Sequence, residues 1–347
     1  MIIQCPACSK SFSLQDNQIP ENGINFPCPS CRHTFVVIKN AISLGLVDKE
    51  SDQKRVSEVK VKDRLDDAFK KKIVSLTGDL PPMPHIAMKV MEIVRDVNVS
   101  ANGLKKVISQ DQALTAKILK FSNSALYSCV RTISTLTDAI VVLGFNTIRS
   151  LVIATSTQSL YKKESKKSGL TEQKLWEHSV ATAITAKLVA EKVHFTKLEE
   201  AFVCGLLHDI GKLILVQSLF EKYNEVIQEV YNEGSSFIIV EEKKFGFDHT
   251  DVGALVVKKW NFALELEEAI HYHHYPEKAS VAQQLAYIIA FANLVCVKLK
   301  IGLETSFEND IAFTASAKFL GLSAESICDI EKRVQTTILN EKDLFNL

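Results

Sequence analysis

Two kinds of hydrophobic patterning divide this chain into three segments. From about residue 64 to the end, apolar residues recur at intervals of three and four. Leu65, Phe69, Ile73 and Leu76 form the first such set, one face of a helix. Residues 39–63 (including DKESDQKRVSEVKVKD) mix charges and hold few apolar side chains, the pattern of a solvated linker. Residues 1–38 hold only short strand-like runs, INF and TFVVI, between Cys-Pro turns. The helical segment is interrupted by LTGDLPPMP (76–84) and later by SANG, KKSG and NEGSS. Between these breaks HIAMKVMEIV is amphipathic, and Ser100 is placed to cap the helix that follows NVSANG. QALTAKILKFSNSALYS gives another helix, and LTDAIVVLGFNTIRSLVIATS is apolar and mostly buried. More helical patterning fills 276–347, as in VAQQLAYIIAFANLV and SAESICDIEKRVQTTIL. The expected architecture is mostly all-α: a multi-helix domain over 64–275 and a C-terminal helical extension over 276–347 packed on it. A small β module precedes them.

Charge narrows the function classes. The 41 Lys and Arg residues balance the 41 Asp and Glu residues among 347. No long-range field therefore steers the chain to nucleic acid or to an anionic membrane. MIIQCPACSK lacks the basic and apolar blocks of a signal peptide. The apolar run LAYIIAFANLVCV (285–297) is too short and interrupted to span a bilayer and reads as a buried helix. The expectation is a cytoplasmic protein.

Cysteine spacing brings in the first chemistry. Cys5-x-x-Cys8 and Cys28-x-x-Cys31 are separated by 19 residues. Each pair can form a tight turn presenting two thiolates, and two such turns close a tetrahedral Zn²⁺ site. A module this small cannot bury a sufficient core, so the metal would supply its folding energy. Phe12, Phe26 and Phe35 are candidates for its mini-core, and its charges are close to balanced. Cys129, Cys204, Cys296 and Cys328 stand singly in apolar helical surroundings and read as reduced core residues. The pattern of residues 1–38 resembles short bacterial zinc ribbons, which implies protein contacts or a structural role.

The helical segment carries a second set of ligand-type residues. His178 lies in KLWEHSVATAITAKL, and the pair His208-Asp209 follows EEAFVCGLL. His249 opens HTDVGALVVKKW, and the pair His273-His274 ends LELEEAIHYHH. Imidazoles and a carboxylate on separate helices suit Zn, Fe or Mn, and two such ions can activate water for phosphoester cleavage. Lys212, four residues past His208, is either a phosphate contact or a solvated helix-end lysine. His33, His85 and His194 read as ordinary hydrogen-bonded core histidines, and His271 faces away from its neighbours.

Residues from about 73 to 275 resemble an HDOD domain, the HD-related output domain of bacterial signalling proteins. The matching stretches are LPPMP, SQDQALTAKILKFSNSALYS, TLTDAIVVLGFNTIRSLV, LWEHSVATA, GLLHDIGKLIL, DHTDVGALVVKKW and AIHYHHYPE. The resemblance implies an all-α HD-superfamily fold and a regulatory, non-catalytic role. Similarity to the related HD-GYP phosphodiesterases, which cleave cyclic di-GMP, implies residue roles. His178, His208 and Asp209 would hold a first metal. Asp209 would bridge to a second held by His249, His273 and His274, and Lys212 matches the phosphate-contacting lysine of HDxGK. Two departures stand out. Asn293 occupies the place of the late acid, which weakens the first metal position. YPEKASVAQQ replaces the glycine-rich GYP segment, which argues against cyclic di-GMP hydrolysis. The functional expectation is a signalling protein acting through a protein partner or a small ligand, with the ribbon as an accessory module. The alternative is a metal-dependent phosphohydrolase acting on a nucleotide or other phosphoester.

Overall fold

The computed structural model describes residues 67–96, 99–124, 127, 132–162, 169–303 and 311–340 of the helical segment. Of the N-terminal segment it describes residues 2–4, 11–13, 24–27, 29 and 34–37. The chain divides into two compact units, Met1–Arg64 and Leu65–Leu347. In the first, β1 (Ile2–Gln4) pairs antiparallel with β2 (Ser11–Ser13), Ile3 opposite Phe12. There β3 (Ile24–Pro27) pairs with β4 (Thr34–Val37), Phe26 opposite Phe35. Cys5 and Cys8 fall between β1 and β2 in sequence, and Cys28 and Cys31 between β3 and β4. All four cysteines, and the linker 39–63, lie outside the described residues.

Among the described residues of the second unit, every regular element is a helix. It begins with α1 (Asp67–Thr77), α2 (His85–Arg95), α3 (Ala101–Ile108) and α4 (Gln112–Ser122). Ser100 caps α3 as expected, accepting from the Gly103 N–H at 3.1 Å, and Asp111 caps α4 through Leu114 at 2.9 Å. The long α5 (Leu136–Tyr161) is broken at Gly144, whose φ of 81° suits glycine. Before the break Val141 and Val142 are exposed, contrary to the expectation of a mostly buried segment. After it Ile148, Leu151, Val152, Ile153 and Ala154 are all buried.

The helices that carry the ligand-type residues come next. They are α6 (Gly169–Lys192), α7 (Leu198–Leu207), α8 (Ile210–Ser218), α9 (Phe220–Glu233), α10 (Phe237–Phe245), α11 (His249–Lys259) and α12 (Leu264–His271). Then follow α13 (Gln283–Lys298), α14 (Ala315–Phe319) and α15 (Ala324–Asn340). The central helix is α6, packed against α7, α13 and α15. Ala181, Ala183, Ala186 and Ala190 on it are buried, and small side chains let neighbouring backbones approach. A Cβ at Gly205 of α7 would lie 2.8 Å from the Thr182 carbonyl oxygen of α6. The crossing of α8 and α11 is tighter still.

Two stretches are long and apolar enough to cross a membrane by length and composition, Leu136–Tyr161 and Leu198–Ser218. The first is interrupted at Gly144, and the second is two helices around His208 and Asp209, 89% buried within the protein over its most apolar window. Over its own most apolar window the first is 56% buried.

Gly211→Ala tests the α8–α11 crossing. Its Cβ would sit 1.9 Å from the backbone oxygen of His249, so a helix must move. A loss of about 3 kcal/mol or more is expected, at the upper end of overpacking costs. Thermal or denaturant unfolding followed by circular dichroism measures it; an unchanged midpoint would contradict this packing.

Candidate metal centre

Three structural breaks bring the ligand-type side chains together. His208 caps the C-terminal end of α7 and Asp209 precedes the first residue of α8, so the dipeptide sits where two buried helices meet. His249 is the first residue of α11, held by a capping box in which Asp248 and Asp251 exchange hydrogen bonds with each other's backbone. His273 and His274 follow the end of α12 at His271, in a turn; they are not within the helix as the sequence pattern suggested. His178 projects from the middle of α6.

Asp209 is the hub. Its Oδ2 lies 3.4 Å from His208 Nε2, 3.7 Å from His178 Nε2 and 3.0 Å from Lys212 Nζ. Its Oδ1 lies 3.3 Å from His249 Nε2 and 3.8 Å from His273 Nε2. His274 Nε2 is 3.2 Å from His249 Nε2. The donor atoms form two clusters, each within 4.8 Å: His178, His208 and Asp209, and His249, His273 and His274. All six sequence-predicted residues therefore converge, with Asp209 between the clusters. Lys212 is buried and paired with Asp209, over the Phe237 ring at 4.8 Å, so it is not a solvated lysine. His271 turns to Asp251 at 3.0 Å and stacks on Tyr272. His85, His194 and Cys328 are exposed, not core residues, whereas Cys204 and Cys296 are buried; His33 and Cys129 lie outside the described residues.

The outer ring nitrogens fix which atom faces inward. Nδ1–H of His178 donates to the Ile301 carbonyl at 2.9 Å. That of His208 donates to the Gly205 carbonyl at 2.7 Å, and that of His273 to the Ile270 carbonyl at 2.7 Å. Nδ1–H of His249 donates to Glu241 Oε2 at 2.6 Å. A carbonyl or carboxylate only accepts, so Nδ1 carries a proton in each ring, and a neutral ring then turns the lone pair of Nε2 inward. Metal-binding histidines characteristically show this outer hydrogen bond. The Nε2 atoms of His208 and His273 and Oδ1 of Asp209 are buried without hydrogen-bond partners. Such atoms are costly unless something accepts their lone pairs. Imidazole nitrogens around a carboxylate fit Zn, Fe or Mn. Asn293 on α13 is also buried, its Oδ1 without a partner.

Several supporting residues are new. Glu241 is fully buried and accepts from both the backbone N–H (2.8 Å) and the ring of His249, while Tyr223 donates to its other oxygen at 2.6 Å. A carboxylate at helical spacing from Phe237, Ile238 and Phe245, on an apolar face, was the available sequence signal. The Ile301 carbonyl had none. It reaches His178 because Gly302, at φ 108°, passes close to that ring; a Cβ there would lie 2.8 Å from His178 Cβ.

A family model of the HDOD domain matches residues 80–276, and a zinc-ribbon domain model matches residues 1–36. The chain belongs to the HDOD family. A Geobacter sulfurreducens HDOD domain protein of unknown function is 27% identical, with a TM-score of 0.67 over 79% of this chain and 94% of that one. A phosphohydrolase candidate from Shewanella amazonensis SB2B, 24% identical, shares the fold with a TM-score of 0.57 over 76% and 98%. An uncharacterized protein of Treponema pallidum (strain Nichols) is 21% identical over 224 residues, 64% of this chain. The chain spans 43% of that relative's length.

Burial, reinforced by His178 and Lys212, pushes His208 down to about 3, against the pull of Asp209. Burial and neighbouring rings likewise hold His273 and His274 well below the usual imidazole range. At neutral pH these three are uncharged and their lone pairs are available. Burial would raise Asp209, but His208, Lys212 and His249 outweigh it and keep the carboxyl well below its usual range. His249 is opposite in sign to the other rings: burial lowers it, but Glu241 leaves it raised. A depressed histidine contributes stability above its unfolded pKa and loses it as pH falls through the folded value. Below about pH 6.5 the unfolded chain takes up protons that the folded, metal-free site refuses, each costing about 1.4 kcal/mol per pH unit. Three depressed rings outnumber His249, so the chelator-treated protein is expected to melt at lower temperature at pH 5 than at pH 7. A melting temperature that holds or rises over that interval would count against neutral buried imidazoles.

Proposed function

We propose that this chain is a regulatory HDOD protein whose helical unit binds metal in a buried histidine–aspartate pocket and acts by association rather than by turnover. The observation that carries this reading is burial. His178, His208, Asp209, Lys212, His249 and His273 are each at most 5% exposed, and only His274 is half-buried. A phosphoester must reach the metal-facing atoms, and Lys212, which would meet its phosphate, is already engaged by Asp209. His178, His208, Asp209, His249, His273 and His274 would hold one or two Fe, Mn or Zn ions. Bound there, such an ion would supply a positive Lewis-acid centre opposite Asp209. In this reading Cys5, Cys8, Cys28 and Cys31 hold a structural Zn²⁺, and the ribbon (1–38) is a docking module on a charged linker. The helical unit contacts a signalling protein or a small ligand in the cytoplasm. The rival reading, a metal-dependent phosphohydrolase, is favoured by the donor set itself, which keeps its lone pairs inward.

Elemental analysis of the full chain separates them when combined with a phosphodiesterase assay on bis-p-nitrophenyl phosphate. The expected result is one or two metal equivalents beyond the ribbon's zinc, diminished by His208→Ala, with no hydrolysis above the metal-free background. Turnover that disappears in His208→Ala would establish the hydrolase reading. No metal beyond the ribbon would remove the pocket's metal role.

A further inference from the structure

The two halves of the pocket share Asp209 but are not supported alike. Lys212 Nζ sits on Oδ2 at 3.0 Å, the oxygen that faces His178 and His208. Any cation entering that half competes with an ammonium group already in place. Oδ1, which faces His249 and His273, is buried and has no hydrogen-bond partner. The outer partners differ in the same direction. His178 and His208 are oriented by neutral backbone carbonyls, Ile301 and Gly205. His249 is oriented by the buried carboxylate of Glu241, at 2.6 Å, which also accepts the His249 backbone N–H. The other oxygen of Glu241 is anchored by the Tyr223 hydroxyl, so the carboxylate cannot rotate away without breaking three bonds. A carboxylate behind an imidazole raises its basicity and fixes its direction, and losing such a partner commonly weakens metal binding by about 10- to 100-fold.

From this asymmetry we infer that the pocket has two metal positions of unequal strength. The tighter lies between Asp209 Oδ1 and His249, His273 and His274, with Glu241 as its positioning residue. Lys212 holds the His178–His208 position weak. Glu241 and Tyr223 lie on α10 and α9, so filling the tight position also fixes the packing of that helix pair against α11. This rests on the metal-binding reading of the pocket.

Co²⁺ titration of the full chain, zinc-loaded in the ribbon, tests the order. Visible d–d absorption reports cobalt among imidazoles, and thiolate charge-transfer bands report any that enters the cysteines. The wild type is expected to fill in two steps. Glu241→Gln should weaken the first step by about 10- to 100-fold. Tyr223→Phe, which removes only a hydroxyl and keeps the ring, should weaken it in the same direction by less. Lys212→Met should strengthen the second step, an effect that general destabilisation would not produce. The proposal is overturned if Glu241→Gln and Tyr223→Phe leave the first step unchanged in folded protein, or if Lys212→Met weakens the second. Absence of imidazole-bound cobalt in the wild type would remove the metal-binding reading itself, and this proposal with it.

Discussion

Burial of the Asp209 carboxylate is the constraint around which the helical unit is arranged. Taking an ionised group out of water costs several kcal/mol even after relaxation, and only close, well-directed partners offset that. Here the partners come from separated parts of the chain: Lys212 one turn along α8, His178 from α6, His249 from the start of α11 and His273 from the turn after α12. None of these elements can shift far without leaving a buried charge uncompensated. The same requirement explains the composition of the helices. His208 and Asp209 lie between two buried runs, from Ala201 to Leu207 and from Ile210 to Val216, whose side chains are apolar except for Lys212, the partner of Asp209.

Convergence of so many side chains on one carboxylate requires their backbones to lie close together. Glycine and alanine provide this. Gly205 lets α7 meet α6, and Gly211 lets α8 pass the first residue of α11. Because the ligand-type residue His249 is itself that first residue, the closeness of the α8–α11 crossing sets how near its ring comes to Asp209. Packing and site geometry are therefore one property here.

The helical class, the Ser100 cap and the set of residues around Asp209 were legible in the sequence because each leaves a local mark. These marks are an apolar period, a small polar residue before a helix, and titratable groups inside apolar runs. The end of α12 was not legible, since AIHYHH continues the apolar period past the point where the backbone turns at Tyr272. Nor was the exposure of Val141 and Val142, which depends on the break at Gly144. The outer hydrogen bonds were the least accessible. Glu241 is eight residues from its partner His249, and the Ile301 carbonyl is 123 residues from His178. A backbone oxygen carries no side-chain identity to read, and its place is decided only when α13 has packed on α6.

That last bond has a consequence for how the protein is divided. The family match ends at residue 276, yet the group that orients His178 is at 301, and the glycine that lets it approach is at 302. The inherited module and the physical unit therefore have different boundaries. A segment cut at the family limit would keep every ligand-type side chain but lose the carbonyl that directs His178, together with Asn293 and the buried wall of α13. Homology marks which residues persisted together; the hydrogen bonds mark how much chain is needed to hold them in place.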